Sequence, residues 1–198
     1  ATFGTAVLWN GLAFVARDGY GFDETWNLIL AISNGGIYAI AAFASAPILR
    51  RLSSRIAPRT VIALVFLLQV LICPAILISN SPIVLFVVAG GMSFLAAFFW
   101  PVIEAFVSAG REPGAMRNAI GWWNTVWMLA LGLALVSMAP LLAAGHAVWA
   151  IASLGPINLA CVIVLYLGVP ARIAAHGERH PDHAAPVTYV DLLASNRA

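Results

Sequence analysis

The chain has 198 residues, 62% of them hydrophobic and only 9% Asp, Glu, Lys or Arg, whereas about a quarter of a soluble domain is charged. That balance excludes a water-soluble enzyme or binding module and predicts an all-α, polytopic membrane protein. The net charge of +2 carries little information, because topology follows from where Lys and Arg sit and not from their sum.

A helix needs roughly 20 predominantly apolar residues to cross a bilayer, so stretches without Asp, Glu, Lys or Arg convert into helices by length. Residues 1–17 give the first span, and Ala1 opens directly into apolar sequence with no initiator Met or charged leader, as expected of a chain that begins inside a longer natural sequence. Arg17, offset by Asp18, Asp23 and Glu24, separates it from a second span at 27–49. Next comes Arg50-Arg51-Leu52-Ser53-Ser54-Arg55-Ile56-Ala57-Pro58-Arg59, a basic turn between two charge-free runs. The uncharged run that follows is too long for one crossing. It breaks at Asn80-Ser81-Pro82, where Pro disfavours helix at the preceding residue, and yields spans at 60–79 and 82–108. Arg111, Glu112 and Arg117 form the next charged loop. The last uncharged run breaks at Gly145-His146, Gly being suited to a helix end, into spans at 119–143 and 146–169.

The reading is therefore a bundle of about six transmembrane helices over residues 1–170. Loops alternate in basic content, and nine of the ten arginines fall on one side, which places both termini in the cytoplasm by the positive-inside rule. Residues 171–198 are expected to form a polar cytoplasmic linker. Its His176, Glu178, His180, Asp182 and His183 lie close together, but Pro181 interrupts any helix that would align them and no metal site is expected. Cys73 and Cys161 lie in apolar stretches and read as small hydrophobes. The arginines come without an interleaved aromatic platform, so nucleic acid is not expected as a partner.

The loop and helix signals together resemble the amino-terminal half of a major facilitator superfamily transporter. That family's loop between helices 2 and 3 runs Gly, any, Leu, Ala, Asp, Arg, any, Gly, Arg, Arg. Laid on residues 50–59, the pattern keeps Leu52, Arg55 and Arg59, has Ser54 in place of Asp, and replaces its glycines by Arg50 and Ala57. Pro101 stands where the family's fourth helix carries proline, and Arg117 followed by Gly121 stands at the start of the fifth. The family's antiporter signature is not matched, since Gly132 is followed by Val136-Ser137 and only later by Pro140.

The resemblance implies one six-helix half of a two-half fold around a midplane site. It further implies a secondary transporter in the plasma (inner) membrane, moving a small solute by alternating access. The partners it implies are that solute, a coupling proton or ion, the lipid bilayer and a second six-helix half, with no cofactor and no enzymatic activity. Two other readings are a truncated or accessory six-helix protein that does not transport, and, more remotely, an intramembrane serine protease built on Ser93 in Gly91-Met92-Ser93-Phe94 and His146.

Within the spans Glu104 is the one carboxylate, and an intramembrane acid is by default a functional candidate. By resemblance it pairs with Arg55 and latches a gate on the arginine side, with Arg59, Arg111 and Arg117 as further gating or coupling candidates. The alternative is a structural ion pair with Arg111, two helical turns along the same face. Candidates for contact with the solute are Asn10 in the first span, Asn34 and Tyr38 in the second, Trp100 in the fourth, and Asn124 and Trp127 in the fifth. Asn34 with Tyr38, and Asn124 with Trp127, are spaced to share a helix face. The competing reading is that Asn joins helices and Trp anchors at interfaces. Gly35-Gly36 and Gly90-Gly91 are expected to permit close helix contact, and Pro74, Pro101 and Pro156 to kink their helices.

Overall fold

The computed structural model describes residues 2–108 and 111–171, and the expected cytoplasmic tail beyond lies outside the described residues. They form six helical segments and no strand. In chain order, α1 runs through Thr2–Ala6, a π turn at Val7–Gly11 and Leu12–Tyr20; α2 is Glu24–Leu52; α3 is Pro58–Ile72, continued by a 3₁₀ turn at Cys73–Leu77. The α4 helix is Pro82–Ser108, α5 is Pro113–Ala143, and α6 consists of Trp149–Ala152 and Leu154–Gly168. Segments α2 to α6 are each long and apolar enough to cross a membrane, at 29, 20, 27, 31 and 20 residues.

The ends of these helices follow from local chemistry. Asp23 caps α2, its Oδ1 accepting the Trp26 N–H at 2.8 Å, and α2 carries Glu24 in its first turn and Arg50 and Arg51 in its last, the arrangement a helix dipole favours. Helices α3, α4 and α5 all begin at a proline, whose missing N–H costs nothing at the first helical position. Two turns use a left-handed glycine, Gly21 at φ 68° and Gly145 at φ 74°. After α5, the His146 N–H reaches the Leu141 carbonyl at 2.8 Å and the Gly145 N–H the Leu142 carbonyl at 3.0 Å, which closes the helix in a Schellman motif. The α5 helix starts at Pro113, earlier than the span read from charge alone, so Arg117 is a helical residue and not a loop residue.

The three expected kinks come out differently. Pro74 turns the end of α3 into 3₁₀ geometry, because its ring lacks the N–H that an α-helix needs. Pro101 stays inside a continuous α4. In α6 the break falls at Ser153, before Pro156, with Leu154–Gly168 continuous through the proline.

Helices α3 and α6 close one side of the bundle over α4, and the core lies between them and α1. At its centre Leu85, Val88 and Met92 of α4 meet Val7 and Leu8 of α1, Cys73 and Ile76 of α3, and Ile151 and Leu154 of α6. Cys73 is a free, buried thiol lying 3.7 Å from the Met92 sulfur, in keeping with its role as a hydrophobe. Small residues set the closest approaches. A Cβ on Gly90 would stand 2.7 Å from Ile37 Cδ1, and one on Gly155 would meet Pro74 Cγ at 3.4 Å and the Val70 carbonyl oxygen at 3.5 Å. Gly91 likewise abuts Ile72, whereas Gly35 and Gly36 have nothing within 4 Å, so only the second glycine pair packs helices together. Gly155→Val is expected to destabilise the fold by about 1–3 kcal/mol, because the added methyls meet a proline ring and fixed backbone. Thermal unfolding of the purified protein in detergent measures this, and an unchanged midpoint would show that α6 is free to back away.

Helices α2 and α5 are the least covered. Only Leu30, Asn34, Ala41 and Ser45 of α2 and Ala134 and Met138 of α5 are buried.

Candidate functional site

The side of the bundle away from α3 and α6 is a wall contributed by α1, α2, α4 and α5. On α1 the π turn at Val7–Gly11 holds Trp9 and Asn10, and such turns recur at functional positions because they rotate side chains away from the regular helical register. Val7, Leu8 and Gly11 are buried while Trp9 and Asn10 face outward. Gly11 abuts the Met138 side chain of α5, since a Cβ there would overlap the Met138 sulfur. Asn10 donates from Nδ2 to the Ala6 carbonyl at 3.4 Å and is otherwise open.

Aromatic rings carry the wall from helix to helix. Trp9 meets Tyr38 of α2 edge to face, with centroids 5.3 Å apart and planes at 88°. Tyr38 and Trp100 both pack against the buried cluster of Val65, Leu95, Ala96 and Phe99. Trp100 in turn contacts Trp123 at 5.7 Å and Trp127 at 5.2 Å, both edge-on, across to α5. T-shaped pairs of this kind are favoured by the ring quadrupole. Asn124 lies exposed beside them. Glu104 follows Trp100 by one helical turn and is exposed.

The geometry thus brings together Tyr38, Trp100, Trp127 and Glu104, with Asn10 and Asn124 on the same open side. It adds two residues that the sequence reading missed. Trp123 carries a usable signal, lying one turn before Trp127 on the same face. Trp9 carries none, because nothing in the sequence announces the π turn that aims it at Tyr38.

Asn34 does not join this wall. It is buried at 4% exposure and accepts the Ser93 hydroxyl at 2.6 Å, so it joins α2 to α4 as a polar clasp of the kind common in membranes. Sharing a helix face with Tyr38 was not enough, because α4 covers one end of that face and leaves the other at its edge. The same hydrogen bond occupies Ser93, while His146 lies exposed in the α5–α6 turn. The serine–histidine pair of a protease is not assembled.

Apart from Arg17, the arginines among the described residues divide into three kinds. Arg50, Arg51 and Arg55 are exposed, and Ser53 and Ser54 bond back to the Arg50 and Arg51 carbonyls at 2.7 and 3.3 Å, closing the end of α2. Arg59 is a staple between α3 and α6: its Nη1 donates to the Val169 carbonyl at 2.9 Å, and its guanidinium lies 4.7 Å over the Tyr166 ring. Arg111, just before α5, and Arg117, in its second turn, are exposed. Neither Arg55 nor Arg111 pairs with Glu104, and the ion pair found among the described residues is Arg17 with Asp18 at 2.8 Å.

Comparison with known proteins adds the family. Neither the curated proteins nor the solved structures contain a match to the chain. A family model does match, over residues 1–197, and its description is Major Facilitator Superfamily. With that match across nearly the whole sequence, and with apolar helices long enough to cross a bilayer, the chain is an integral, multi-pass membrane protein that belongs to the Major Facilitator Superfamily of membrane transporters.

Proposed function

We propose that the chain is one six-helix half of a secondary transporter that moves a small solute by alternating access, with the wall formed by α1, α2, α4 and α5 as its share of the solute passage. The observation that carries this reading is the band from Trp9 through Tyr38, Trp100 and Trp127, flanked by Asn10, Asn124 and Glu104, on the one side that α3 and α6 leave open. Aromatic faces and amide groups suit a solute with both apolar and hydrogen-bonding surface. A second six-helix half, in the same gene product or a separate chain, covers the apolar residues that α2 and α5 leave exposed, among them Ile40, Phe43, Leu133 and Val136. The arginine-rich end faces the cytoplasm, as the positive-inside rule requires, in the plasma (inner) membrane with both termini cytoplasmic. There Glu104 serves proton coupling or the gate, with Arg55 as its partner in a closed state.

Thiol accessibility tests this without knowledge of the solute. In a background lacking Cys73 and Cys161, Asn10→Cys and Asn124→Cys are each compared with Ile163→Cys, an exposed position on α6, in membranes carrying the whole gene product. An impermeant charged thiol reagent is expected to modify positions 10 and 124 at least about tenfold faster, since hydrocarbon holds no water to deliver it. Equal and slow reaction at all three sites would show that the wall faces lipid or protein, and would leave the non-transporting reading in its place.

A further inference from the structure

A second feature lies on the α3 and α6 side of α5 and meets the solute wall at Trp123, which borders both. Near the arginine-rich end, α5 stands apart from α3, α4 and α6 and leaves a cleft of about 960 Å³, at the upper end of the roughly 300–1,000 Å³ of small-molecule sites. Its floor is apolar, with Phe66 of α3, Phe106 of α4 and Val164 and Leu165 of α6. Along α5 the lining residues are Ala115, Asn118, Ala119, Trp122, Trp123 and Val126, with Arg111 just before the helix. Their spacing is one helical face, and it grades from a cation through an amide and an indole to a purely aliphatic end. From Ala115 to Val126 this face rises about 16 Å at 1.5 Å per residue, which is close to one leaflet of a hydrocarbon core about 30 Å thick. Trp122 is 66% exposed and Val126 53%, so no part of the described chain covers them.

We propose that this cleft is a binding site for an anionic glycerophospholipid, its acyl chains lying along Trp122 and Val126 and its phosphate at the Arg111 guanidinium. Three observations select that occupant. The walls are membrane-spanning helices, so the guest is apolar for the depth of a leaflet. The charge at the mouth is positive and makes no ion pair among the described residues, and a phosphate offers the fork-shaped guanidinium two parallel hydrogen bonds. The second, smaller cleft, about 300 Å³ between α2, α3 and α4, repeats the pattern with apolar walls and Arg50 at its rim. Basic pockets between helices at the cytoplasmic leaflet are the general setting for anionic headgroups. The site is independent of which solute is carried and of whether the chain transports at all.

The test is native mass spectrometry of the whole purified protein, equilibrated with dioleoylphosphatidylglycerol or with dioleoylphosphatidylcholine, which has the same chains and no net charge. The wild type is expected to retain phosphatidylglycerol about fivefold more strongly, the contribution of one arginine near an anionic surface, and millimolar inorganic phosphate is expected not to displace it. Arg111→Gln is expected to abolish the preference. Arg117→Gln, which makes the same change of charge outside the cleft, is expected to keep it. Ala160→Trp, which fills the cleft without altering charge, is expected to lower retention of both lipids and tests the site even where Arg111→Gln fails to fold. Equal retention of the two lipids by the wild type overturns the proposal, as does a preference that survives Arg111→Gln. A preference that emerges only on removing residues 172–198 assigns the cleft to that segment and overturns it equally.

Discussion

Glu104→Gln is expected to abolish accumulation of solute against its gradient in vesicles carrying the intact transporter, while downhill exchange and the amount of folded protein stay near wild type. A charge within a membrane-spanning helix costs about 2.5–3.5 kcal/mol near the helix centre on insertion scales, less towards the ends, and such residues are normally paired or face water. Among the described residues Glu104 has no cationic partner; it is exposed and lies one turn beyond Trp100. A side chain held there without an ion pair contributes no salt bridge to stability, so replacing it by an isosteric amide removes nothing the fold depends on. What it removes is the ability to take up and release a proton. With a pH gradient imposed and any solute that the wild type concentrates, the readout is the steady-state ratio of inside to outside. Proton-driven accumulation that persists in Glu104→Gln would eliminate the coupling role, and a loss of folded protein would give Glu104 a structural role through a partner that this conformation does not display.

The parts of this molecule that were legible in its sequence are those decided by local chemistry or by solvent. Charge cannot lie cheaply in hydrocarbon, so the charge-free runs between Arg17, Arg59, Arg111 and the tail marked the helices. Asn80-Ser81-Pro82 and Gly145-His146 marked turns for backbone reasons that need no tertiary context, and the left-handed Gly145 is the physical content of the second. The candidate wall was legible only where direction did not matter. Tyr38, Trp100 and Trp127 lie on the wall because the helices that carry them line its open side, whereas Asn34 points into α4 because Ser93 offers it a hydrogen bond across 59 residues of sequence. Arg59 reads from the sequence as a gating or coupling candidate in a basic loop, yet the carbonyl it reaches is 110 residues away at the end of α6. The cleft beside Arg111 is set by the distance between helices, which no residue pattern encodes. Gly35-Gly36 and Gly90-Gly91 make the same point: the two pairs are alike in sequence, and only the second has a neighbouring helix against it.

Phe99→Ala is expected to cost about 3–5 kcal/mol, the range for truncating a buried aromatic ring to a methyl, and to be the most destabilising single change among the aromatics of α4. Phe99 is 1% exposed, lies tilted at 4.8 Å from the Trp100 ring and contacts Phe66 of α3 at 5.8 Å. It also borders a cavity of about 10 Å³ that Thr5, Gln69 and Met92 help to line, so removing the ring enlarges an existing void and does not merely open a new one. Lipid tails are as apolar as the core, and burial therefore drives helix association less here than in water. The loss then falls on dispersion contacts that a void cannot replace. Phe94, five residues earlier, is the control: it is 45% exposed and its ring contact is with Phe98 of the same helix, at 5.2 Å, so Phe94→Ala is expected to cost under about 1 kcal/mol, as surface truncations do. Unfolding in a detergent of increasing denaturing strength compares the two. Because Phe99 supports Trp100 from behind, Phe99→Ala is also expected to disturb the contacts of Trp100 with Trp123 and Trp127, seen as a red shift in tryptophan emission before unfolding begins. Equal stability of the two variants would mean that α3 and α4 close over the missing ring, and that the wall does not draw its rigidity from the core behind it.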